Sequence, residues 1–244
     1  MEKHFKLITP VYNAEKWVGL CIQSVKDQSH KNFTQIIVDD CSTDGTVSAA
    51  KDAIGDDPRF VIIERKEKTG TLHGHILAGE YKYSEDDFFV HLDGDDWFAS
   101  KGVLANLDKI YDDENIWCTY GNYKTTDGIP SVCKPIQDPH QMIRLYLLTG
   151  WIFSQVRSFR GKLWRGLKEQ DFRSNDGSYL AVADVAVFCP ILEMAGINRI
   201  RYVPEVQMVY NRTTTINDDK VNRELVIDHA LQLTQKDPKQ LWKK

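Results

Sequence analysis

Long hydrophobic runs, paired cysteines and an excess of positive charge are all missing from this sequence of 244 residues. No apolar stretch approaches the ~20 residues that cross a bilayer. The best candidate, Tyr179 to Met194, is interrupted by Asp184, Pro190 and Glu193. The opening Met1-Glu2-Lys3-His4-Phe5 lacks the apolar core of a signal peptide. The expectation is a cytoplasmic protein without a transmembrane segment. Five cysteines, Cys21, Cys41, Cys118, Cys133 and Cys189, are odd in number and form no C-x-x-C pair. They read as reduced thiols, not a disulfide framework or a zinc site. Lys and Arg total 31 against 35 Asp and Glu, a net charge of -4, so no global basic field exists to hold a polyanion. Nucleic acid is therefore not an expected partner. Neither the dinucleotide fingerprint G-x-G-x-x-G nor the P-loop G-x-x-x-x-G-K-[ST] occurs. Internal repeats and linker-like stretches are absent too, so one unit over 1–244 is expected.

What is present is an alternation of strand and helix signals. Phe5 to Thr9 reads as a strand stopped by Pro10, Ala14 to Gln28 as a helix through Trp17, Leu20, Cys21 and Val25, and Gln35 to Val38 as a buried strand. A helix over Thr46 to Ile54, a strand over Phe60 to Ile63, a helix over Leu72 to Tyr83 and a strand over Phe88 to Leu92 follow. This order predicts an α/β fold with a mostly parallel central sheet flanked by helices. The second half is less regular. It carries a strand from Trp117 to Tyr123, a helix from Pro139 to Leu148 and a basic-aromatic run from Arg157 to Arg173. A helix from Ala183 to Ala195 closed by Gly196, a strand near Ile200 to Val203 and a last helix near Asp218 complete it. Residues 1–124 are expected to bind a donor and residues 125–244 an acceptor.

In open α/β sheets, ligands bind beyond the carboxyl ends of strands. Three polar groups sit at such ends: Thr9-Pro10-Val11-Tyr12-Asn13, Asp39-Asp40-Cys41-Ser42-Thr43-Asp44-Gly45, and Asp93-Gly94-Asp95-Asp96. A parallel sheet brings them to one crevice, where converging carboxylates repel unless a cation or a donor-rich ligand satisfies them. Asp93-x-Asp95 suits a hard ion, Mn2+ or Mg2+, completed by ligand phosphates and water, and Gly94 would let backbone approach the ligand. Capping of the following segment by Asp95 or Asp96 explains the same residues without a ligand. A calcium loop fails because its regular D-x-D-x-D-G spacing is missing. Asp184 stands at the start of a helix, where a cap or a directed, ionised carboxylate are compatible readings.

These three motifs in this order, with Val182-Ala183-Asp184 and Pro190 to Gly196 downstream, resemble family 2 glycosyltransferases of the GT-A (Rossmann-like) fold, over roughly residues 5–216. The resemblance implies an inverting transfer of one sugar from a nucleoside-diphosphate sugar, UDP-sugar above others, to a glycan, glycoprotein or lipid-linked acceptor. Thr9 and Pro10 backbone and the Tyr12 ring would hold base and ribose. Asp40 would accept from the base, and Asp93 with Gly94 would approach the ribose or donor sugar. Asp95 would ligate the metal, and Asp184 would take the acceptor proton.

The chain departs from the family pattern in two places. Ala183 stands where many relatives place a second carboxylate, and Gly74-His75-Ile76 where many carry Ala-Arg-Asn. His75 either replaces the arginine's polar contact or is a satisfied histidine, and Lys66 and Lys68 either meet the diphosphate or are solvated. The basic run 157–173 reads as a solvated amphipathic helix, as an anion contact, or as a peripheral membrane surface. No Q-x-x-R-W motif is present, which favours single-sugar transfer. A sugar-nucleotide nucleotidyltransferase would need a Gly-rich basic loop that residues 9–13 do not offer. A non-catalytic nucleotide-sugar-binding module is the third reading.

Overall fold

The computed structural model of the chain describes residues 2–138, 142–214 and 223–242. Five strands and four helices come first: β1 (Phe5–Val11), α1 (Val18–Lys26), β2 (Phe33–Asp39), α2 (Thr46–Ile54), β3 (Phe60–Glu64), α3 (Thr71–Glu80), β4 (Phe88–His91), β5 (Trp97–Phe98) and α4 (Val103–Ile110). Then follow β6 (Cys118–Thr125), the short α5 (Tyr146–Thr149), β7 (Arg157–Arg160), α6 (Ala183–Ala195), β8 (Ile200–Tyr210) and α7 (Arg223–Gln235).

The strands form one sheet in the order β3-β2-β1-β4-β7-β6-β8-β5. β3, β2, β1 and β4 are parallel and in unbroken register, Phe5 opposite Phe33 and Val11 opposite Asp39. Beyond β4 the sheet turns mixed: β7 is antiparallel to both β4 and β6, whereas β8 is parallel to β6 and antiparallel to β5. The first half is the parallel α/β layer its alternation predicts.

Side chains alternate across a strand, so the apolar residues on both sides of the buried strands β1, β2 and β4 build a core on each face. Phe5, Leu7, Ile37, Phe88 and Val90 pack with α1, α2 and α4, and Ile8, Ile36, Val38 and Phe89 pack with α3 and α6. In α1 the buried residues are Val18, Cys21, Ile22 and Val25; the helical period is as expected, but Leu20 faces solvent.

Two expectations for the second half need correction. The basic run is not a helix: Arg157–Arg160 is strand β7, and Gly161–Gly166 is a 3-10 turn. Strand pairing with β4 and β6 overrides its helix-like spacing of apolar residues. The helix placed over Pro139 to Leu148 is a 3-10 turn at Ile143–Leu145 running into α5, and Pro139 itself lies outside the described residues. The last helix is described from Arg223, so its expected start near Asp218 lies outside the described residues too. The helix Ala183–Ala195 matches its expected span, with Gly196 at φ 77° ending it. Among the described residues no helix is long and apolar enough to cross a membrane.

Candidate active site

A cleft of about 740 Å³ opens over the carboxyl ends of β1, β2 and β4. Of the residues singled out in the sequence, Pro10, Tyr12, Asp40, Asp93, Gly94, Asp95 and Asp184 all line it. Thr9 does not. Strand alternation turns its side chain to the α1 face, where its hydroxyl accepts from the Gln35 amide at 3.0 Å.

The loop after β2 is held by its own acids. Asp39 accepts from the Ser42 amide at 3.1 Å, and Asp44 accepts from the Thr46 amide at 3.0 Å at the start of α2. Asp40 reaches across to the loop after β3. Its buried carboxylate pairs with Arg65 and accepts from the backbone of Thr69 at 3.1 Å and Gly70 at 3.0 Å. With these donors in place the Asp40 carboxyl is a fixed edge of the cleft. Opposite it, the Lys68 ammonium sits 3.4 Å from the centre of the Tyr12 ring, a cation–π contact at the cleft mouth.

The acidic turn after β4 is tight for a packing reason. A Cβ on Gly94 would lie 2.0 Å from Val11 Cγ1 and 3.2 Å from the Pro10 carbonyl oxygen. Glycine is therefore required by β1 itself, where the sequence suggested only access for a ligand. Asp93 accepts from the Gln155 amide at 2.9 Å. Asp96 is wholly buried and accepts from the Asn211 backbone at 2.7 Å, tying this turn to the end of β8.

Electrostatics separates these carboxyls. Burial pushes Asp93 up, the Asp184 charge adds to it, and His75, Arg157 and the Gln155 hydrogen bond pull against it without cancelling it. Burial and the Asp95 and Asp93 charges push Asp96 well above the usual carboxylate range. For Asp184 burial opposes ionisation, but Arg157 and His75 outweigh it and the carboxyl lies below its ordinary value. Asp184 stands at the N-terminus of α6. One oxygen accepts from the Val185 amide at 2.8 Å, and the other lies 2.6 Å from the Arg157 guanidinium.

His75 is neither solvated nor fully satisfied. It is 1% exposed, its Nδ1 donates to the Thr71 carbonyl at 3.0 Å, and its Nε2 is buried with no partner among the described residues. A carbonyl only accepts, so Nδ1 carries a proton. In neutral His75, Nε2 is then a free acceptor in the wall of the cleft.

A divalent ion fits this chemistry. A hard ion of this kind is held by one or two carboxylates, with ligand phosphates and water completing its coordination. Asp95 lines the cleft beside two carboxyls pushed up by burial and mutual repulsion, and one buried oxygen of Asp96 has no hydrogen-bond partner. A cation would relieve that repulsion.

Among the cleft residues not singled out as site residues in the sequence are Trp151, Gln155, Arg157 and Tyr179. No local pattern marks Trp151, Gln155 or Tyr179. Arg157 was legible only as the first cation of a basic run. Within that run Arg160 donates to the carbonyls of Ile116, Tyr111 and Asp113, Arg165 pairs with Glu85 and Arg173 with Glu169. Arg157 alone of these turns into the cleft.

A sequence profile described as Glycosyl transferase family 2 matches residues 6–165. The teichoic acid poly(glycerol phosphate) polymerase of Staphylococcus epidermidis is 32% identical over 120 residues, 49% of this chain and 16% of its own length. Among solved structures, S. aureus TarS 1-349 in complex with UDP-GlcNAc matches with a TM-score of 0.67 at 20% identity, over 88% of this chain and 60% of that one. The mannosyltransferase PcManGT from Pyrobaculum calidifontis, in complex with GDP-Man and Mn2+, matches at 0.64 and 19% identity, over 95% and 62%. Both structural likenesses identify the fold as GT-A. The chain spans less than two thirds of the length of each of these three proteins.

Proposed function

The chain belongs to glycosyl transferase family 2, and from that premise we propose that it moves one sugar from a nucleoside-diphosphate sugar, UDP-sugar first, to a hydroxyl of a glycan, glycoprotein or lipid-linked acceptor, with inversion. The observation that carries this reading is that residues 10 to 184 deliver seven of the eight expected site residues to one cleft.

Residues 1–124 form the donor half and residues 125–244 the acceptor half of one domain. Tyr12 and the Pro10 backbone hold the nucleoside, the base stacking on the ring from which Lys68 is displaced. Asp40, pinned by Arg65 and two backbone amides, accepts from the base with its remaining lone pair. Asp93, oriented by Gln155, faces the donor sugar. Asp95 would hold Mn2+ or Mg2+ together with the diphosphate oxygens. The ion, when bound, neutralises charge on the departing nucleoside diphosphate. Asp184 accepts the proton of the acceptor hydroxyl as that oxygen attacks the anomeric carbon from the face opposite the leaving group. The relatives' names fit this chemistry, since one neighbour was crystallised with UDP-GlcNAc and another with GDP-Man and Mn2+.

Calorimetry and thermal shift with UDP-, GDP- and dTDP-sugars, with and without Mn2+, test the reading. A UDP-sugar with Mn2+ should raise Tm through binding linkage, and Asp95→Ala should lose the metal-dependent part of the affinity. Asp184→Asn should keep donor binding and slow transfer by about 10²- to 10⁴-fold. Full transfer by Asp184→Asn removes its role as base. If no nucleotide sugar shifts Tm in the presence of metal, the proposal fails.

A further inference from the structure

Arg157 is the cation most deeply built into the cleft. It opens β7, paired across the sheet with His91 of β4, and its side chain is 3% exposed. Its Nε donates to the Phe153 carbonyl at 2.8 Å, and the guanidinium lies 6.0 Å from the centre of the Phe188 ring on α6. One Nη is 2.6 Å from the Asp184 carboxylate, and the other is buried with no partner among the described residues. Asp184 is thus held at both oxygens: by its own helix through Val185 and by the neighbouring strand through Arg157. The two sides differ in exposure. Asp184 keeps 35% of its side chain open, whereas Arg157 is behind it.

We propose that Arg157 is a positioning residue of the transfer step, fixing the direction and the charge of Asp184 without itself touching the reacting atoms. The inference rests on Asp184 being the proton acceptor. Each carboxylate oxygen has about two lone pairs, so an oxygen that accepts from Arg157 or from Val185 retains one for the acceptor hydroxyl. In the step, the O–H bond of the acceptor breaks to Asp184 while the acceptor oxygen bonds to the anomeric carbon. The bond from that carbon to the diphosphate oxygen breaks, and the nucleoside diphosphate leaves with the electron pair. Asp184 then returns its proton to solvent.

A buried partner of fixed geometry gives this arrangement two consequences. The carboxylate cannot rotate away from the acceptor, and small misplacement of a reacting group alone costs on the order of 10²-fold in rate. It also favours the ionised form, since Arg157 and His75 together outweigh burial and hold the Asp184 carboxyl below its ordinary value. The charged or titratable groups acting on it are Arg157 from β7, His75 from α3 and Asp93 from the turn after β4. Asp93 repels it, and Arg157 supplies the largest opposing influence. Arg157 ranks ahead of His75 among these influences and is the group in direct contact.

Two variants of the full chain, Arg157→Lys and Arg157→Gln, test this by two routes. The first needs no substrate: the carboxyl titration of Asp184, followed by 13C NMR and assigned by its loss in Asp184→Asn. It should move up by at least one pH unit in Arg157→Gln and by less than half of that in Arg157→Lys, with circular dichroism confirming folding. The second uses UDP-glucose, UDP-N-acetylglucosamine and GDP-mannose with Mn2+, following nucleoside diphosphate release for whichever gives the largest thermal shift. Arg157→Gln should lower kcat about 100-fold with donor Kd within threefold, and Arg157→Lys should recover at least a tenth of the wild-type rate. A tenfold rise in donor Kd with kcat unchanged would make Arg157 a donor contact and overturn the inference. So would an unmoved Asp184 titration. Wild-type turnover by Asp184→Asn would instead overturn the assignment of the base while leaving the ion pair intact.

Discussion

The two halves of the molecule contribute strands to one sheet but position their functional groups by different means. From β1 to β4 every neighbour is parallel, the register is unbroken, and cleft residues sit in the loops that leave the strand ends. There the backbone does much of the placing: Asp40 is fixed by two amides beside its pair with Arg65 from the next loop, and Gly94 by the van der Waals surface of β1. From β6 to β8 the sheet is mixed, with register shifts between Tyr120 and Tyr123, and the ties run from side chain to side chain. Arg157 pairs with Asp184, and Arg144 with Glu193. A regular scaffold can hold a site through loops, whereas an irregular one needs charged clamps between elements that are distant in sequence.

The clamp at Arg144 offers the largest way to break this contrast. Its guanidinium donates to Glu193 on α6 at 2.5 and 3.0 Å and to the carbonyls of Leu233, Lys236 and Asp237 at the end of the chain, and both side chains are 7% exposed. Removing one partner strands a buried charge, so Glu193→Ala should cost about 3–5 kcal/mol in urea unfolding. Hydrogen exchange should loosen in α6 and α7 before β1 to β4. Uniform loosening of the whole sheet would show that the halves do not differ in what holds them.

Asp40 sharpens the same contrast from the other side. Asp40→Ala frees Arg65 and two loop amides at the cleft edge, and donor affinity should fall about tenfold to a hundredfold, as expected for a lost charge-assisted hydrogen bond of 1.5–3 kcal/mol. Exchange in α6 and α7 should not change. Isothermal calorimetry with the UDP-sugar selected above measures the first part, and unchanged affinity would take Asp40 out of the donor site.

The smallest effect is expected at the seam. His91 on β4 lies fully buried against Phe159 of β7 and Phe188 of α6, and burial, with the His75 and Arg157 charges, holds its imidazole well below 6.5. The unfolded chain takes up a proton there that the folded chain refuses. Stability from this group is therefore complete above pH 6.5 and is lost as pH falls below it, by up to about 1.4 kcal/mol per unit. Urea midpoints at pH 7.5 and 5.5 should differ more for the wild type than for His91→Phe. Parallel behaviour would mean that His91 is not what makes the seam acid-sensitive.

The difference between the halves also explains what could be read without coordinates. Strand and helix periods in residues 5–98 are local signals, so β1 to β4 and their helices fall within a few residues of expectation. The run at Phe159, Leu163, Trp164 and Leu167 carries a helical period too, yet it became strand and 3-10 turn because β4 and β6 supply ladder partners that a helix would leave unpaired. The site follows the same rule. Pro10, Tyr12, Asp40, Asp93, Gly94 and Asp95 were legible because a strand end is a local feature with a known place in a parallel sheet. Which way the Thr9 side chain points was not legible, because its hydroxyl answers to Gln35 on the neighbouring strand.

By itself, then, the sequence determined the order of elements, the α/β class and the three strand-end motifs that meet in one crevice. Only the tertiary structure decided that Arg157 leaves its basic neighbours to hold Asp184, that His75 buries a ring nitrogen with no partner among the described residues, and that Asp96 ties the acidic turn to the end of β8. Periodicity reports what lies within a turn or two along the chain. Those features depend on strand order and direction, and a buried charge or imidazole takes its character from whichever partners that order brings beside it.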